Sequence, residues 1–213
     1  KHSITEKEDG PAKRQKLDAA KPSITVMDGS MGGLLRSRGM PQDELYNKLW
    51  ASRSLAEEKY HRLVVDAHVD YIRAGASLLT TCSYSCGARN YRQAYPEFWR
   101  ETMTEHAELA ARLAVQARQE AEGKDVRILG SLGPITDTHR PDRFYEYLKA
   151  EGEDLIIESY RLVAQALLKG GVDGLVLETM NCWEEAALGL RACKGLGAPV
   201  TVSFEGSLRG VDL

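Results

Sequence analysis

The 213 residues, 43% hydrophobic and 28% charged, suffice for one globular domain with a sizeable core. A net charge of −3 gives no electrostatic reason to bind nucleic acid or an anionic membrane, and no apolar run approaches the roughly 18 residues of a membrane span. Four cysteines in a chain of this length do not make a disulfide framework, which points to a reducing, cytoplasmic setting.

Residues 1–22 are polar and almost free of large apolar groups, so they bury too little surface to offset the entropy of ordering. A flexible charged tail is expected there, with the folded domain over 23–213. Lys13-Arg14-Gln15-Lys16 has the pattern of a basic nuclear-import signal, although a solvated tail produces the same pattern. The tail lacks the apolar core of a secretory leader, and its first residue, Lys1, points to a processed or trimmed product.

The β-branched run Ile24-Thr25-Val26 predicts a first strand, followed by Asp28-Gly29-Ser30-Met31-Gly32-Gly33. Glycine lets a ligand approach the backbone closely, and free N–H groups there hold a carboxylate. With Asp28 supplying the opposite charge, such a loop suits a zwitterion; a tight turn capped by Asp28 is the competing reading. Pro41 to Leu55 reads as an irregular excursion anchored by Leu49 and Trp50. From Glu57 the spacing is helical, with Tyr60, Leu63, Val64, Ala67, Tyr71 and Ile72 on one face and Gly75 as the left-handed cap.

The pattern then repeats. Strands are predicted at Ala76–Thr81, Val126–Leu129, Gly174–Leu177 and Ala198–Ser203, and helices at Phe98–Glu122, Glu151–Lys169 and Trp183–Lys194. Arg73-Ala74-Gly75-Ala76-Ser77 and Lys169-Gly170-Gly171-Val172-Asp173 form the same helix-to-strand joint. This alternation implies right-handed crossovers and a parallel sheet whose strands are covered on both faces. Polar and glycine clusters follow the strands, and in a parallel barrel those ends open on one mouth, where active sites form. Asp28, Thr81 and Glu178 therefore converge on one expected site.

The chain resembles the homocysteine S-methyltransferase family from about Ile24 to Phe204. The carriers are Asp28-Gly29-Ser30-Met31-Gly32-Gly33, Thr80-Thr81-Cys82-Ser83-Tyr84, Gly130-Ser131-Leu132-Gly133-Pro134 and Leu177-Glu178-Thr179, in register. The resemblance implies an α/β fold, a (β/α)8 TIM barrel of which this chain supplies about the first five strands. It also implies a transferase of methionine biosynthesis that moves a methyl group onto the sulfur of homocysteine. Asp28 and Glu178 would hold the substrate ammonium, amides around Gly29 and Ser30 its carboxylate, and Thr81 would line the same site. Tyr84, Trp50 and Cys82 are candidates for the donor pocket, with His139 in a nearby loop. S-methylmethionine or S-adenosylmethionine is the favoured donor.

The family pattern is not complete. Ser30 and Cys82 stand where glycine and asparagine are usual, and Gly33 stands in place of threonine. The family's zinc, which keeps the thiol as a thiolate, is bound by late cysteines that lie beyond this sequence. An alternative metal set of Cys82, Cys86 and Cys182 is conceivable at the mouth; ordinary loop thiols are the simpler reading. A complete barrel usually takes about 250 residues, so the remaining strands are expected from a longer or second chain. The alternative function is a truncated, non-catalytic member that binds an amino acid or a partner protein.

Overall fold

The computed structural model describes residues 24–205, so the charged tail and its basic tract lie outside the described residues. Seven α-helices and four strands alternate along this stretch: α1 (Met31–Ser37), α2 (Glu44–Leu49), α3 (His61–Arg73), β1 (Leu78–Thr80), α4 (Ala88–Ala94), α5 (Trp99–Glu120), β2 (Arg127–Leu132), α6 (Pro141–Lys169), β3 (Gly174–Met180), α7 (Trp183–Cys193) and β4 (Val200–Phe204). No helix among them is long and apolar enough to cross a membrane.

The four strands pair in parallel in the order β1-β2-β3-β4. Leu79 stands opposite Ile128, Leu129 opposite Gly174, and Leu177 opposite Val202. Because spatial order follows chain order without reversal, right-handed crossovers place α5, α6 and α7 on one face. There α5 packs on α3 and α6, and α6 packs on α7. Leu79, Ile128, Leu175 and Leu177 are fully buried in the strands, and Met103, Phe144, Ile156 and Leu167 in the helices.

The repeated joint has a common geometry. Gly75 and Gly171 adopt φ of 103° and 98°, which only glycine reaches without strain. At the first joint, Gly75 N–H donates to Ile72 O at 3.0 Å and Ala76 N–H to Tyr71 O at 3.0 Å. At the second, Gly171 N–H donates to Leu168 O at 3.1 Å and Val172 N–H to Leu167 O at 3.5 Å. Both are Schellman closures that satisfy the last carbonyls and aim the chain into the next strand.

Several sequence expectations change. The first of five expected strands is reduced to a single bridge, Met27 opposite Leu78. Asp28 N–H still donates to Leu78 O at 2.9 Å, but the run pairs on one side only and Ile24 is 89% exposed. Pro41–Leu55 is helical rather than irregular, because Asp43 caps α2 through Tyr46 N–H at 2.8 Å and a 3-10 helix continues over Trp50–Leu55. Leu49 anchors it, whereas Trp50 is 43% exposed. The expected helix from Glu57 begins at His61, and its fully buried residues are Val64, Val65, Ala67, His68 and Val69. Helix α6 begins at Pro141, upstream of the expected Glu151, and breaks at Gly152 (φ 80°) before continuing along the expected stretch. The short helix α4 was not expected; its buried face is only Ala88 and Tyr91, spaced three apart between polar residues.

Close helix packing supplies a direct test. A Cβ on Gly170 would lie 2.4 Å from Ala111 Cβ and 2.6 Å from Glu108 O, at the α5–α6 contact. Gly170 has an ordinary helical φ of −73°, so the clash alone opposes a side chain there. Gly170→Ala is expected to lower stability by about 1–3 kcal/mol in urea denaturation.

Candidate functional site

Asp28 leaves the bridge beside β1 and turns its carboxylate onto Thr80. Its oxygens accept the Thr80 N–H at 2.9 Å and the Thr80 hydroxyl at 3.1 Å. Glu178, near the end of β3, accepts the Ser131 hydroxyl at 2.6 Å. Ser131 is itself fixed: its N–H donates to Thr81 Oγ1 at 2.9 Å, and its carbonyl accepts the Ser83 hydroxyl at 2.7 Å. Thr81 and Ser83 hydroxyls meet at 2.7 Å. A buried network spanning β1 and β2 thus holds the acid that β3 carries.

Both carboxylates line one cleft of about 400 Å³, together with Gly29, Ser30, Trp50 and Tyr84. Burial pushes the Asp28 carboxyl up to about 6, against the lowering effect of the Thr80 bonds, and the Glu178 charge adds to the rise. Burial raises Glu178 as well, with the Ser131 bond opposing. Two acids with weakened hold on their negative charge are matched by a cation placed between them.

The local backbone serves this placement. Ser30 caps α1 by accepting Gly33 N–H at 3.1 Å, which turns the glycine-rich segment into a helix start beside Asp28. A Cβ on Gly32 would lie 2.3 Å from Trp50 Nε1, so the indole wall requires glycine there. Thr179 holds φ at 59°, strained for a β-branched residue, where the β3–β4 register slips between Leu177 and Met180. Its N–H donates to Ser203 Oγ at 3.0 Å, and this irregularity lies directly beside Glu178 in the cleft wall.

Apart from His139, every residue singled out for substrate or donor lies along the cleft, but their polar atoms differ in availability. Thr81 is buried with its hydroxyl engaged, so it supports Ser131 instead of facing a ligand. Cys82 is buried and donates to Ala51 O at 3.4 Å. Tyr84 reaches Thr138 Oγ1 at 2.7 Å. Thr80 and Ser131, which anchor the two acids, were not singled out from sequence; both lay in quoted motifs, as a strand-end hydroxyl next to Thr81 and in Gly130-Ser131-Leu132.

The thiols do not assemble a metal site. Cys86 Sγ lies 3.4 Å from Tyr91 OH and 3.8 Å from Ser52 Oγ, while Cys182 stands before α7. Burial pushes Cys82 up to about 12 and Cys86 to about 11, so both are held as thiols. Among the described residues no three His, Cys, Asp or Glu side chains are grouped to hold a metal ion. The candidate set of Cys82, Cys86 and Cys182 is therefore withdrawn, and the residues present do not fit zinc.

Of the histidines, His68 is fully buried and burial pushes it down to about 4, as it does His106, which pairs with Tyr91 OH at 2.8 Å. His139 lies outside the carboxylate cleft, in the wall of a neighbouring one.

The family model described as Homocysteine S-methyltransferase matches residues 25–210. The homocysteine S-methyltransferase YbgG of Bacillus subtilis is 30% identical over 184 residues, covering 80% of this chain and 55% of that protein. The S-methylmethionine–homocysteine S-methyltransferase BHMT2 of Rattus norvegicus is 26% identical over 201 residues, covering 92% of this chain and 48% of that protein. The solved structure of the homocysteine methyltransferase MmuM from Escherichia coli, in its oxidized form, superposes with a TM-score of 0.65 at 25% identity, covering 87% of this chain and 63% of that one. The chain spans about half the length of the curated relatives it matches. With its parallel sheet, its paired acids and a family match over nearly all of the described residues, this chain belongs to the homocysteine S-methyltransferase family.

Proposed function

We propose that the carboxylate cleft binds homocysteine and that the protein takes part in methyl transfer from a small sulfonium donor, S-methylmethionine or S-adenosylmethionine, to its sulfur, giving methionine. The observation that carries this reading is the convergence of Asp28 and Glu178 on one cleft beside the Gly29–Ser30 backbone. Asp28 and Glu178 hold the ammonium, and amides around Gly29 and Ser30 take the carboxylate, so the two ends of a zwitterion are matched. This leaves the substrate side chain directed along the wall of Trp50 and Tyr84. In the transfer, the thiol proton passes to water and the sulfur's electron pair forms a bond to the donor methyl carbon. The donor's own sulfur–methyl bond breaks, its electron pair stays on the donor sulfur, and the sulfonium becomes a neutral thioether. Zinc finds no fitting ligand set among the described residues, so no step is assigned to it.

Strand order without reversal and the exposed outer edge of β4 support a (β/α)8 barrel, of which these strands form the first part. The remaining strands would come from a longer or second chain and would pair along β4.

Calorimetric titration with L-homocysteine tests the cleft. Asp28→Asn and Glu178→Gln are each expected to weaken binding about tenfold or more, the scale of one lost charge-assisted hydrogen bond. Unchanged affinity in both variants would refute the assignment. The pH dependence has a defined sign. Asp28 is pushed up to about 6, so it protonates and loses its charge as pH falls through that value. Homocysteine affinity should therefore be full near neutrality and drop as pH is lowered from about 7 to about 5. Ser131→Ala removes the bond that holds Glu178 down, and should move the acid limb of this profile to higher pH.

A further inference from the structure

Glu185, on α7, is fully buried, yet no lysine, arginine or histidine pairs with it among the described residues. Its carboxylate instead gathers neutral donors from three parts of the mouth. Oε1 accepts the Ile135 N–H at 2.7 Å and the Tyr160 hydroxyl at 3.0 Å, and Oε2 accepts the Asn181 amide at 3.4 Å. Ile135 lies in the loop after β2, Tyr160 on α6, and Asn181 between β3 and α7. All three partners donate, so the position suits an acceptor-only group, the ionised acid. Burial raises this carboxyl, with the Ile135, Tyr160 and Asn181 bonds opposing. A buried charge held by neutral groups alone is costly as packing, since an apolar side chain of similar volume avoids the desolvation.

The loop that Glu185 holds also shapes the cleft wall. A Cβ on its Gly133 would lie 2.3 Å from the Tyr84 carbonyl oxygen, and its Thr138 Oγ1 meets the Tyr84 hydroxyl at 2.7 Å. The Ile135 side chain packs beside Gly87, where an added Cβ would stand 3.4 Å from Ile135 Cδ1. Asn181 ties the loop a second time, donating to Asp137 O at 3.3 Å. Tyr84 is thus set at its backbone and at its hydroxyl by a loop whose buried fixed point is the Ile135–Glu185 bond. Tyr84 in turn lines the carboxylate cleft with Glu178. Burial raises the Tyr84 phenol, and the nearby Glu178 and Glu185 charges add to the rise.

We propose that Glu185 is a positioning residue of the carboxylate cleft: through Ile135 it holds the loop that fixes Tyr84 along the side chain of a bound amino acid. Glu185 touches no ligand itself, being closed off by its three donors. With the loop released, Tyr84 loses its fixed place and the wall no longer fits the thiol-bearing chain. The inference rests on reading this cleft as the homocysteine site.

Two measurements on the full chain test it, one of them without ligand. Tyrosine carrying carbon-13 at Cζ gives each ring its own NMR signal, and the signal missing in Tyr84→Phe is that of Tyr84. Glu185→Leu removes every acceptor; it should shift or broaden the Tyr84 signal and weaken homocysteine binding about tenfold. Glu185→Gln still accepts from Ile135 but turns an amide onto Asn181, so it should lose only about two- to threefold. In a Tyr84→Ala background, Glu185→Leu should cause no further loss, as expected of a residue that acts through Tyr84.

A folded Glu185→Leu protein with an unshifted Tyr84 signal, or with unchanged homocysteine affinity, overturns the proposal. A loss of the same size in the Tyr84→Ala background also overturns it, since a general structural role does not depend on Tyr84. If Glu185→Leu fails to fold, Glu185→Gln carries the same comparisons with its smaller loss, and the same results overturn the proposal. If the unaltered chain binds no homocysteine, the reading of the cleft fails instead, and the Tyr84 signal alone judges Glu185.

Discussion

Two carboxylates held at the same end of a parallel sheet are the constraint around which the remaining features arrange themselves. Neither is paired to a cation among the described residues: Asp28 rests on the Thr80 N–H and hydroxyl, and Glu178 on the Ser131 hydroxyl. Burial makes both charges expensive, and neutral hydrogen bonds recover only part of that cost. An arrangement that would be poor as structure alone becomes sensible when an ammonium completes it. The strain at Thr179 beside Glu178 belongs to the same pattern, since such conformations persist where surrounding structure holds them for a purpose.

Close approaches shape the space around these acids. Gly32 lets the Trp50 indole lie on α1, and Gly133 lets the Tyr84 backbone pass, since a Cβ there would come within 2.3 Å of the Tyr84 carbonyl. These two contacts position the aromatic wall of the cleft. Trp50 itself holds a positive φ of 48°, so the wall is built by backbone geometry as much as by side-chain packing.

Three of the four thiols are packed in the core. Cys82, Cys86 and Cys193 are buried among apolar and hydroxyl groups, which raises all three and keeps them protonated.

Much of the architecture was legible in the order of residues. Alternating helical and short apolar runs established the parallel α/β arrangement, and the matching glycines at Gly75 and Gly171 marked the joints, because a helix closure with positive φ selects glycine. Asp28 and Glu178 could be paired because polar clusters followed the strands and parallel strands bring those ends together. The motifs themselves carried the family. Tertiary structure alone decided the rest. Thr80 and Thr81 are adjacent, and a strand sends successive side chains to opposite faces, so only the observed register shows that Thr80 meets Asp28 while Thr81 braces Ser131. Whether Cys82, Cys86 and Cys182 could meet depended on the shape of loops that local spacing does not determine. Ile135 and Tyr160 reach Glu185 from 50 and 25 positions away, so no single stretch carries a trace of that junction.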